Sequence, residues 1–288
     1  DSQSIYVWFE ALLNYISALG YARNSDDFRR YYPADIHHIG KDILKFHAVV
    51  WPAILLSAGI ELPKAILVHE FITVDGRKMS KSLGNVVSPF DVVSKYGTDA
   101  FRYFFLGSAS MFSEIDFTEE KFAVKYVADL SNGLGNLVSR ILNIAKKNED
   151  LLGDIFIKSS DDIIIDRGSG RKEIWDEYSG HIEKYEFEKA LDLVWRFITR
   201  INQHIENTKL WELSKKEDSR EHFINYINQH ANNLSFIAKM IGPFMPNTSE
   251  EMFLMILGEK IINGRWEGRK MKIGEIRPLF PRIDIQVK

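Results

Sequence analysis

Short apolar runs with strand character alternate with helical stretches over about the first 120 residues, and only helical periodicity follows. The runs at 35–40 (DIHHIG) and 65–69 (AILVH) read as strands, with an apolar helix over 42–58 between them. A further strand is predicted at Ser4–Phe9, followed by a helix at Glu10–Leu19. Strands that are apolar throughout and alternate with helices favour a parallel sheet covered on both faces. The predicted fold class is therefore α/β followed by all-α.

A hairpin is predicted after the strand at 65–69. Asp75-Gly76 lies between Phe71–Val74 and Arg77–Ser80, and an Asp-Gly pair between two strand-like segments is a strong short-range hairpin signal. Ser88-Pro89 then marks the start of a helix, because serine caps a helix and proline suits its first position.

The rest of the chain has the periodicity of amphipathic helices. From about Glu119, apolar residues recur at three- and four-residue spacing. Four segments show this most clearly: 122–145, 187–205, 223–241 and 249–257. Ser159–Arg171 is rich in Gly, Ser and Asp and is predicted as a loop. We place the domain boundary near residue 120, with 1–120 as the α/β domain and 121–288 as the helical domain.

Composition excludes several classes of function. The 288 residues carry a formal net charge of −3 and include no cysteine, which excludes disulfides, thiolate zinc sites and cysteine nucleophiles from this sequence. Nucleic-acid binding would require local placement of charge, not a basic coat. The apolar uncharged stretch 47–60 is too short to span a bilayer, and no leader-like segment opens the chain, so we expect no membrane partner and a cytoplasmic location.

The most specific chemical signal is Lys78-Met79-Ser80-Lys81-Ser82, which follows the predicted hairpin. Two lysines three residues apart, interleaved with small hydroxyl residues, form a compact pair of cations. Such a pair can neutralise triphosphate oxygens as charge shifts toward the leaving pyrophosphate. An isolated KxxK is usually a solvated loop, but the whole pentapeptide after a hairpin favours phosphate binding.

This pentapeptide resembles the second signature of class I aminoacyl-tRNA synthetases. Its flanks, VDGRKMSKSLGNVVSPFDVVSKYGTDAFRYFFL, are similar to the methionyl-tRNA synthetase family, and the resemblance extends through YVWFEALLNYISALGY and HHIGKDILKFHAVVWPA. It covers essentially the whole chain but starts in the middle of that enzyme. The family's first signature, HIGH, is not matched by His38-Ile39-Gly40-Lys41, whose fourth residue is lysine and which corresponds to a later strand end of the family.

The resemblance therefore implies the C-terminal portion of such an enzyme. Residues 1–120 would be the second half of a Rossmann-type catalytic domain with its KMSKS segment, and 121–288 an anticodon-binding helical bundle. The implied reaction is methionine–tRNA ligation, with methionine, ATP and methionine tRNA as partners. Mg²⁺ would accompany ATP, while any zinc would belong to the family's N-terminal portion, since this sequence shows no metal-ligand cluster.

The implied nucleotide site combines the pentapeptide with two strand ends. Gly40 allows close backbone approach and Asp42 can accept hydrogen bonds from ribose, although on the residues alone a helix cap at Asp42 is favoured. His69 fits adenine or phosphate contact and a strand-end histidine equally well. Glu70 stands where many family members have glycine. The implied catalytic residues are Lys78 and Lys81, and the implied ATP-binding residues are Gly40, Asp42, His69, Lys78, Met79, Ser80 and Lys81.

A methionine pocket should be aromatic, with one or two donors near the sulfur, because a thioether is only a weak hydrogen-bond acceptor. An aromatic stripe at helical spacing is more often core, and His47 also fits a core histidine. The resemblance implies a methionine-binding set of Trp8, Leu12, Tyr15, Ile43 and His47, with Trp51 behind them.

A second constellation lies in the helical half. Asn136 and Arg140 are four residues apart, so they share one helix face, and Trp211 can stack an unpaired base. On the residues alone, a solvated face and a core tryptophan are the more common interpretations. The resemblance implies that Asn136, Arg140 and Trp211 contact the anticodon, with Asn132 as a lesser candidate.

Two alternatives remain open at this stage. The chain could be part of a synthetase for leucine, isoleucine, valine or cysteine. It could also be a non-catalytic tRNA-binding subunit or relic. We expect this portion alone to be inactive and to need an N-terminal half or partner subunit.

Overall fold

A computed structural model describes residues 6–165, 170–261 and 264–283. The chain divides into two compact units: the first unit comprises residues up to 72 together with 111–115, and the second unit comprises 73–110 and 116–288. The domain boundary near residue 120 stays a prediction.

The first unit combines short helices with a two-stranded parallel sheet. Strands β1 (Ile36–Gly40) and β2 (Ala65–His69) pair in parallel, with Ile36 opposite Ala65 and Gly40 opposite His69. This confirms the predicted parallel pairing. The helical segments of this unit are α1 (Val7–Leu12), α2 (Asn14–Ser17), a 3₁₀ turn (Tyr21–Arg23), α3 (Asp26–Tyr31), a second 3₁₀ turn (Lys41–Ile43), a π-helical turn (Phe46–Val50) and α4 (Trp51–Ser57).

The predicted strand at Ser4–Phe9 is wrong where the structure describes it, since residues 7–9 lie in α1; residues 4 and 5 lie outside the described residues. Packing explains the difference. Helical geometry lets Trp8 stack on Phe46 at 4.4 Å between ring centres, and it buries Leu12 in a core cluster. Tertiary contacts of this kind override the strand preference of aromatic and β-branched residues.

The predicted hairpin is confirmed. Strand β3 (Ile72–Val74) pairs antiparallel with β4 (Arg77–Lys78), and β5 (Ile115–Phe117) lies on the other side of β3. Both turn residues have positive φ, 52° at Asp75 and 66° at Gly76, as a type I′ turn requires. Asp116 fastens the turn by accepting a 2.7 Å hydrogen bond from the Gly76 amide.

The second unit is largely helical, as predicted. Its long α-helices carry the core of the unit, and a π-helical segment (Tyr126–Gly135) runs directly into one of them. The α-helices are α5 (Pro89–Tyr96), α6 (Thr98–Gly107), α7 (Glu119–Lys125), α8 (Asn136–Lys147), α9 (Glu149–Leu152), α10 (Asp162–Ile165), α11 (Arg171–Glu183), α12 (Phe187–Thr208), α13 (Leu210–Leu213), α14 (Arg220–Ile241) and α15 (Pro246–Leu257). Two 3₁₀ turns (Lys81–Leu83, Glu217–Ser219) and a small antiparallel pair, β6 (Phe156–Ile157) with β7 (Arg269–Lys270), complete it.

The predicted loop at Ser159–Arg171 is partly wrong, because it contains α10 and its last residue begins α11; residues 166–169 lie outside the described residues. Burial of Ile163, which is fully buried, favours the helical turn over an open loop. Over the described part of the chain, no helix is long and apolar enough to cross a membrane.

Candidate functional site

Tyr15 and His47 form the centre of an aromatic cluster in the first unit. The Tyr15 hydroxyl lies 2.7 Å from His47 Nε2, and His47 Nδ1 lies 3.0 Å from the carbonyl oxygen of Ile43. A carbonyl can only accept, so Nδ1 carries the hydrogen, and in the neutral imidazole Nε2 accepts the Tyr15 proton. Burial raises the pKa of Tyr15, which keeps the hydroxyl protonated. With a neutral His47 the pair carries no charge, as suits a thioether.

All the residues that the sequence predicts to bind methionine lie in this first unit. Trp8 is half-buried, Leu12 is buried, and Ile43 supplies the carbonyl that fixes the tautomer of His47. Trp51 is fully buried, with its ring centre 5.9 Å from that of Tyr15. The Tyr15 proton points at His47, so a bound sulfur would meet ring faces and oxygen lone pairs instead of a donated hydrogen bond from this hydroxyl.

Gly40, Asp42 and His69 also come together in the first unit. A Cβ atom placed on Gly40 would lie 3.2 Å from Asp42 Oδ1 and 3.7 Å from His69 Cε1. A larger residue at position 40 would therefore crowd both side chains. His69 Nδ1 lies 2.9 Å from the carbonyl oxygen of Glu70, which leaves Nε2 as an acceptor. The bare strand end can thus admit a ligand between a carboxylate and an imidazole.

An ion pair joins the two residues that follow these strand ends. Lys41 Nζ lies 2.8 Å from Glu70 Oε1, and this contact raises the pKa of Lys41. The other carboxylate oxygen, Oε2, is buried without a partner among the described residues. Lys41, which precedes Asp42 in the chain, therefore neutralises the negative charge of Glu70.

The KMSKS loop (residues 78–82) belongs to the second unit and is fastened by one amide. Asn85 Oδ1 accepts from the Ser80 amide at 2.8 Å, and Asn85 Nδ2 donates to the Lys78 carbonyl at 3.3 Å. The hydroxyls of Ser80 and Ser82 lie 2.7 Å apart. Both lysines are exposed. The Asn85 side chain therefore holds the loop through its backbone groups, without using the lysine side chains.

The two most specific members of the predicted anticodon set are in contact. The Arg140 guanidinium lies over the Trp211 ring, 4.9 Å from its centre, and Arg140 Nη1 is 2.6 Å from Glu206 Oε1. Asn136 and Asn132 are exposed on the same chain segment, and within the part of the chain that the structure describes no contact joins them to Trp211. Arg140 and Trp211 thus form a cation–π pair whose cation is oriented by Glu206.

Sequence reasoning missed three partners. Glu206 orients Arg140 from 66 positions away, Asn85 fastens the KMSKS loop, and His37 packs on Tyr15 with 4.4 Å between ring centres. Asn85 had a usable signal, since a side-chain amide three residues after the pentapeptide can bond to its backbone. Glu206 and His37 had none, because only the folded chain brings them to their partners.

No group of three or more His, Asp or Glu side chains that could hold a metal ion occurs among the residues that the structure describes. The carboxylates nearest to the proposed nucleotide residues, Asp42 and Glu70, belong to separate strand ends, and Glu70 is already paired with Lys41.

Two family models match successive parts of the chain. Residues 1–142 match the family model described as tRNA synthetases class I (M), and 172–276 match the anticodon-binding domain of tRNA ligase. The chain is 37% identical to the methionine–tRNA ligase of Fusobacterium nucleatum over 98% of its length and 39% identical to that of Caldanaerobacter subterraneus. It spans about half the length of these curated relatives, 46% and 45%.

Solved structures show the same likeness. Mycobacterium tuberculosis methionyl-tRNA synthetase in complex with methionyl-adenylate superposes with a TM-score of 0.83 at 33% identity, covering 96% of this chain and 56% of that one. The α/β portion with a KMSKS loop followed by a helical bundle is therefore that of a class I aminoacyl-tRNA synthetase. Within that class, the chain belongs to the methionyl-tRNA synthetase family and corresponds to its C-terminal portion.

Proposed function

We propose that this chain forms the amino-acid pocket, KMSKS loop and anticodon-binding bundle of a methionine–tRNA ligase. The observation that carries the proposal is the uncharged Tyr15–His47 pair within an aromatic pocket, in a chain similar over 98% of its length to methionine–tRNA ligases. A neutral, polarizable pocket suits an uncharged thioether and disfavours charged side chains, which would lose their hydration without gaining a partner.

The proposed reaction has two steps. A methionine carboxylate oxygen attacks the α-phosphorus of ATP, the bond to the β-phosphate oxygen breaks, and methionyl-adenylate and pyrophosphate form. A terminal hydroxyl of tRNA then attacks the carbonyl carbon, loses its proton and releases AMP. Neither step needs a protein nucleophile, so catalysis consists of positioning and charge stabilisation. Mg²⁺ would enter with ATP as part of the substrate.

Each proposed role follows from the chemistry of the side chain. Gly40 and Asp42 would contact the ribose, and His69 would contact the adenine or a phosphate through its free Nε2. Lys81 would stabilise negative charge on the leaving pyrophosphate, with Lys78 assisting. Met79 and Ser80 would also contact ATP, and the small side chain of Ser80 would let the backbone come close. Trp8, Leu12, Tyr15, Ile43 and His47 would hold methionine.

The anticodon roles rest on the cation–π pair. Trp211 would stack an unpaired base on its uncovered face, Arg140 would read a base edge or phosphate, and Asn136 would add hydrogen bonds. This suits single-stranded RNA, which proteins recognise through unstacked bases.

ATP–pyrophosphate exchange tests the proposal, using the enzyme as produced from its gene. We expect exchange that depends on methionine and not on leucine, isoleucine, valine or cysteine. Lys81→Ala should lower the exchange rate by about a hundredfold, the size typical of one lost electrostatic contact in a transition state. Lys184→Ala, which removes an exposed lysine elsewhere in the second unit, is the matched control.

Three outcomes would contradict the proposal. Exchange that prefers another amino acid would assign a different synthetase. An unchanged rate in Lys81→Ala would remove the role of the KMSKS loop. Binding of tRNA with no exchange by the wild type would favour a non-catalytic tRNA-binding module.

A further inference from the structure

Strand β1 carries two consecutive histidines whose side chains point to opposite faces of the sheet. His37 is 7% exposed, whereas His38 is exposed, as the two-residue period of a strand requires. The strand ends at Gly40, beside Asp42 and His69. This short strand therefore places its two imidazole rings on opposite faces of the sheet, where each ring has different neighbours.

His37 supports the amino-acid pocket. Its ring centre lies 4.4 Å from that of Tyr15 and 6.0 Å from that of His47. The contact with Tyr15 is shorter than those that Tyr15 makes with His47 and Trp51, at 5.5 and 5.9 Å. Since the Tyr15 hydroxyl must reach His47 Nε2, the ring behind Tyr15 determines whether that hydrogen bond forms.

The imidazole of His37 is neutral. Burial, and secondarily the neighbouring His47, lower the pKa of His37. Its Nδ1 atom is buried and has no hydrogen-bond partner among the described residues, an arrangement that costs stability. A residue that costs stability at the point where its ring contacts Tyr15 is better explained by a role in positioning Tyr15 than by a role in stabilising the fold.

His38 contacts the other neighbourhood. Its ring meets that of His69 edge-on, with 5.1 Å between centres, while His69 Nδ1 is hydrogen-bonded to the Glu70 carbonyl. Desolvation lowers the pKa of His38 as well, and His69 adds to the effect. The ring of His69 thus contacts both a backbone carbonyl and the His38 ring.

We propose that His37 and His38 are positioning residues with separate roles. His37 positions Tyr15 in the amino-acid pocket, and His38 positions His69 for its contact with the nucleotide. This inference rests on the proposed function. Neither histidine need touch a substrate, because each acts through the ring that it supports. The consequence is that neighbouring residues on one strand control the affinities of two different substrates.

Steady-state exchange kinetics with four variants tests the inference. His37→Asn removes the ring and should raise the KM for methionine about tenfold, with the KM for ATP and kcat within about twofold of wild type. His38→Asn should raise the KM for ATP about threefold and leave the KM for methionine unchanged. Each variant is the matched control for the other, since both make the same substitution on one strand.

The phenylalanine variants separate ring support from general damage. His37→Phe and His38→Phe keep an aromatic ring, so each should restore the affected KM to within about twofold of wild type. His37→Phe also removes the unpartnered nitrogen, so its melting temperature should rise. Phenylalanine variants that melt normally but do not restore KM would overturn the inference, as would asparagine variants that change both KM values equally.

Failure of the proposed function has a different signature. If the wild-type enzyme shows no methionine-dependent exchange, the proposed function fails and this inference with it. If the wild type exchanges normally but the four variants do not separate the two KM values, only the assignment of the two histidines is lost.

Discussion

The proposed amino-acid pocket and the proposed anticodon face each combine an aromatic ring with a nitrogen-bearing partner, and the two partners differ in charge. In the pocket, Tyr15 bonds to a buried, neutral imidazole. On the helical face, Trp211 lies under a permanently charged guanidinium that is paired with an exposed carboxylate. A neutral pair suits a small uncharged side chain, whereas a cation beside a flat ring suits a stacked base with its phosphate.

The comparison teaches that burial decides which partner an aromatic ring can have. His47 is 2% exposed, where an arginine would require a buried counter-charge. The Arg140 side chain is 22% exposed and its Glu206 partner 60% exposed, so water solvates part of the charge.

The largest expected effect concerns helices α12 and α14 of the second unit. His204 and His230 join α12 to α14, with 3.1 Å between Nδ1 and Nε2. Burial lowers the pKa of His230 to about 4, from 6.5. Acid therefore protonates the unfolded chain first, and this histidine's contribution to stability is present above pH 6.5 and lost as the pH falls toward 4. About 3 kcal/mol should be lost over that interval.

Urea unfolding of the second unit at several pH values checks this. His230→Phe should flatten the pH dependence, because the substituted ring cannot take up a proton, while His222→Asn, at an exposed position on α14, should leave it as in wild type. An equally steep loss of stability with falling pH in His230→Phe would show that another group causes the acid sensitivity.

Trp211→Ala should weaken tRNA binding by about tenfold to a hundredfold, because base stacking on an aromatic ring contributes about 1–3 kcal/mol. Methionine-dependent exchange should not change. Filter binding gives the dissociation constant, and Trp175→Ala, which removes a half-buried tryptophan that contacts Lys239 instead, is the control. Unaltered tRNA affinity would remove the anticodon role of this residue.

Tyr15→Phe should raise the KM for methionine about tenfold, because it removes one hydrogen bond and leaves Nε2 of the buried His47 unpaired. Binding of tRNA should be unaffected. Tyr31→Phe, at a 55% exposed tyrosine of the same unit, is the matched control. If methionine affinity survives the loss of the hydroxyl, ring packing alone defines the pocket.

Arg140→Lys is expected to have the smallest effect. Lysine keeps the charge but loses the flat guanidinium over Trp211, so tRNA affinity should fall about threefold with the same dependence on salt concentration. Arg200→Lys makes the same change at an exposed position on α12. A shallower salt dependence in Arg140→Lys would show that the guanidinium contacts a phosphate that lysine cannot reach.

Local signals predicted much of the fold. The Asp75-Gly76 turn, the strand character of β1 and β2 and the periodicity of the long helices depend on residues close in sequence, and the structure confirms these elements. The strand predicted at Ser4–Phe9 failed because Trp8 gains its ring contact from Phe46, which is far along the chain. The π-helical segment at Tyr126–Gly135 has no local signal that we recognised.

The candidate site divides in the same way. Motif residues such as Lys78, Lys81 and Trp211 are visible in the sequence, and their roles stay predictions. Their supporting partners were not visible: Glu206 and His37 become neighbours of Arg140 and Tyr15 only through helix packing and sheet formation. A sequence motif therefore indicates which groups do chemistry, and the fold decides how they are held.

The amide of Asn85 has a mechanical consequence for the KMSKS loop. It accepts a hydrogen bond from the Ser80 amide and donates one to the Lys78 carbonyl. These two bonds close residues 78–85 into a small hydrogen-bonded ring. The backbone of Lys78 is thereby linked to that of Ser80 and, through the chain, to that of Lys81. A displacement of the loop therefore carries the backbones of both lysines together, while each side chain keeps its own rotamers.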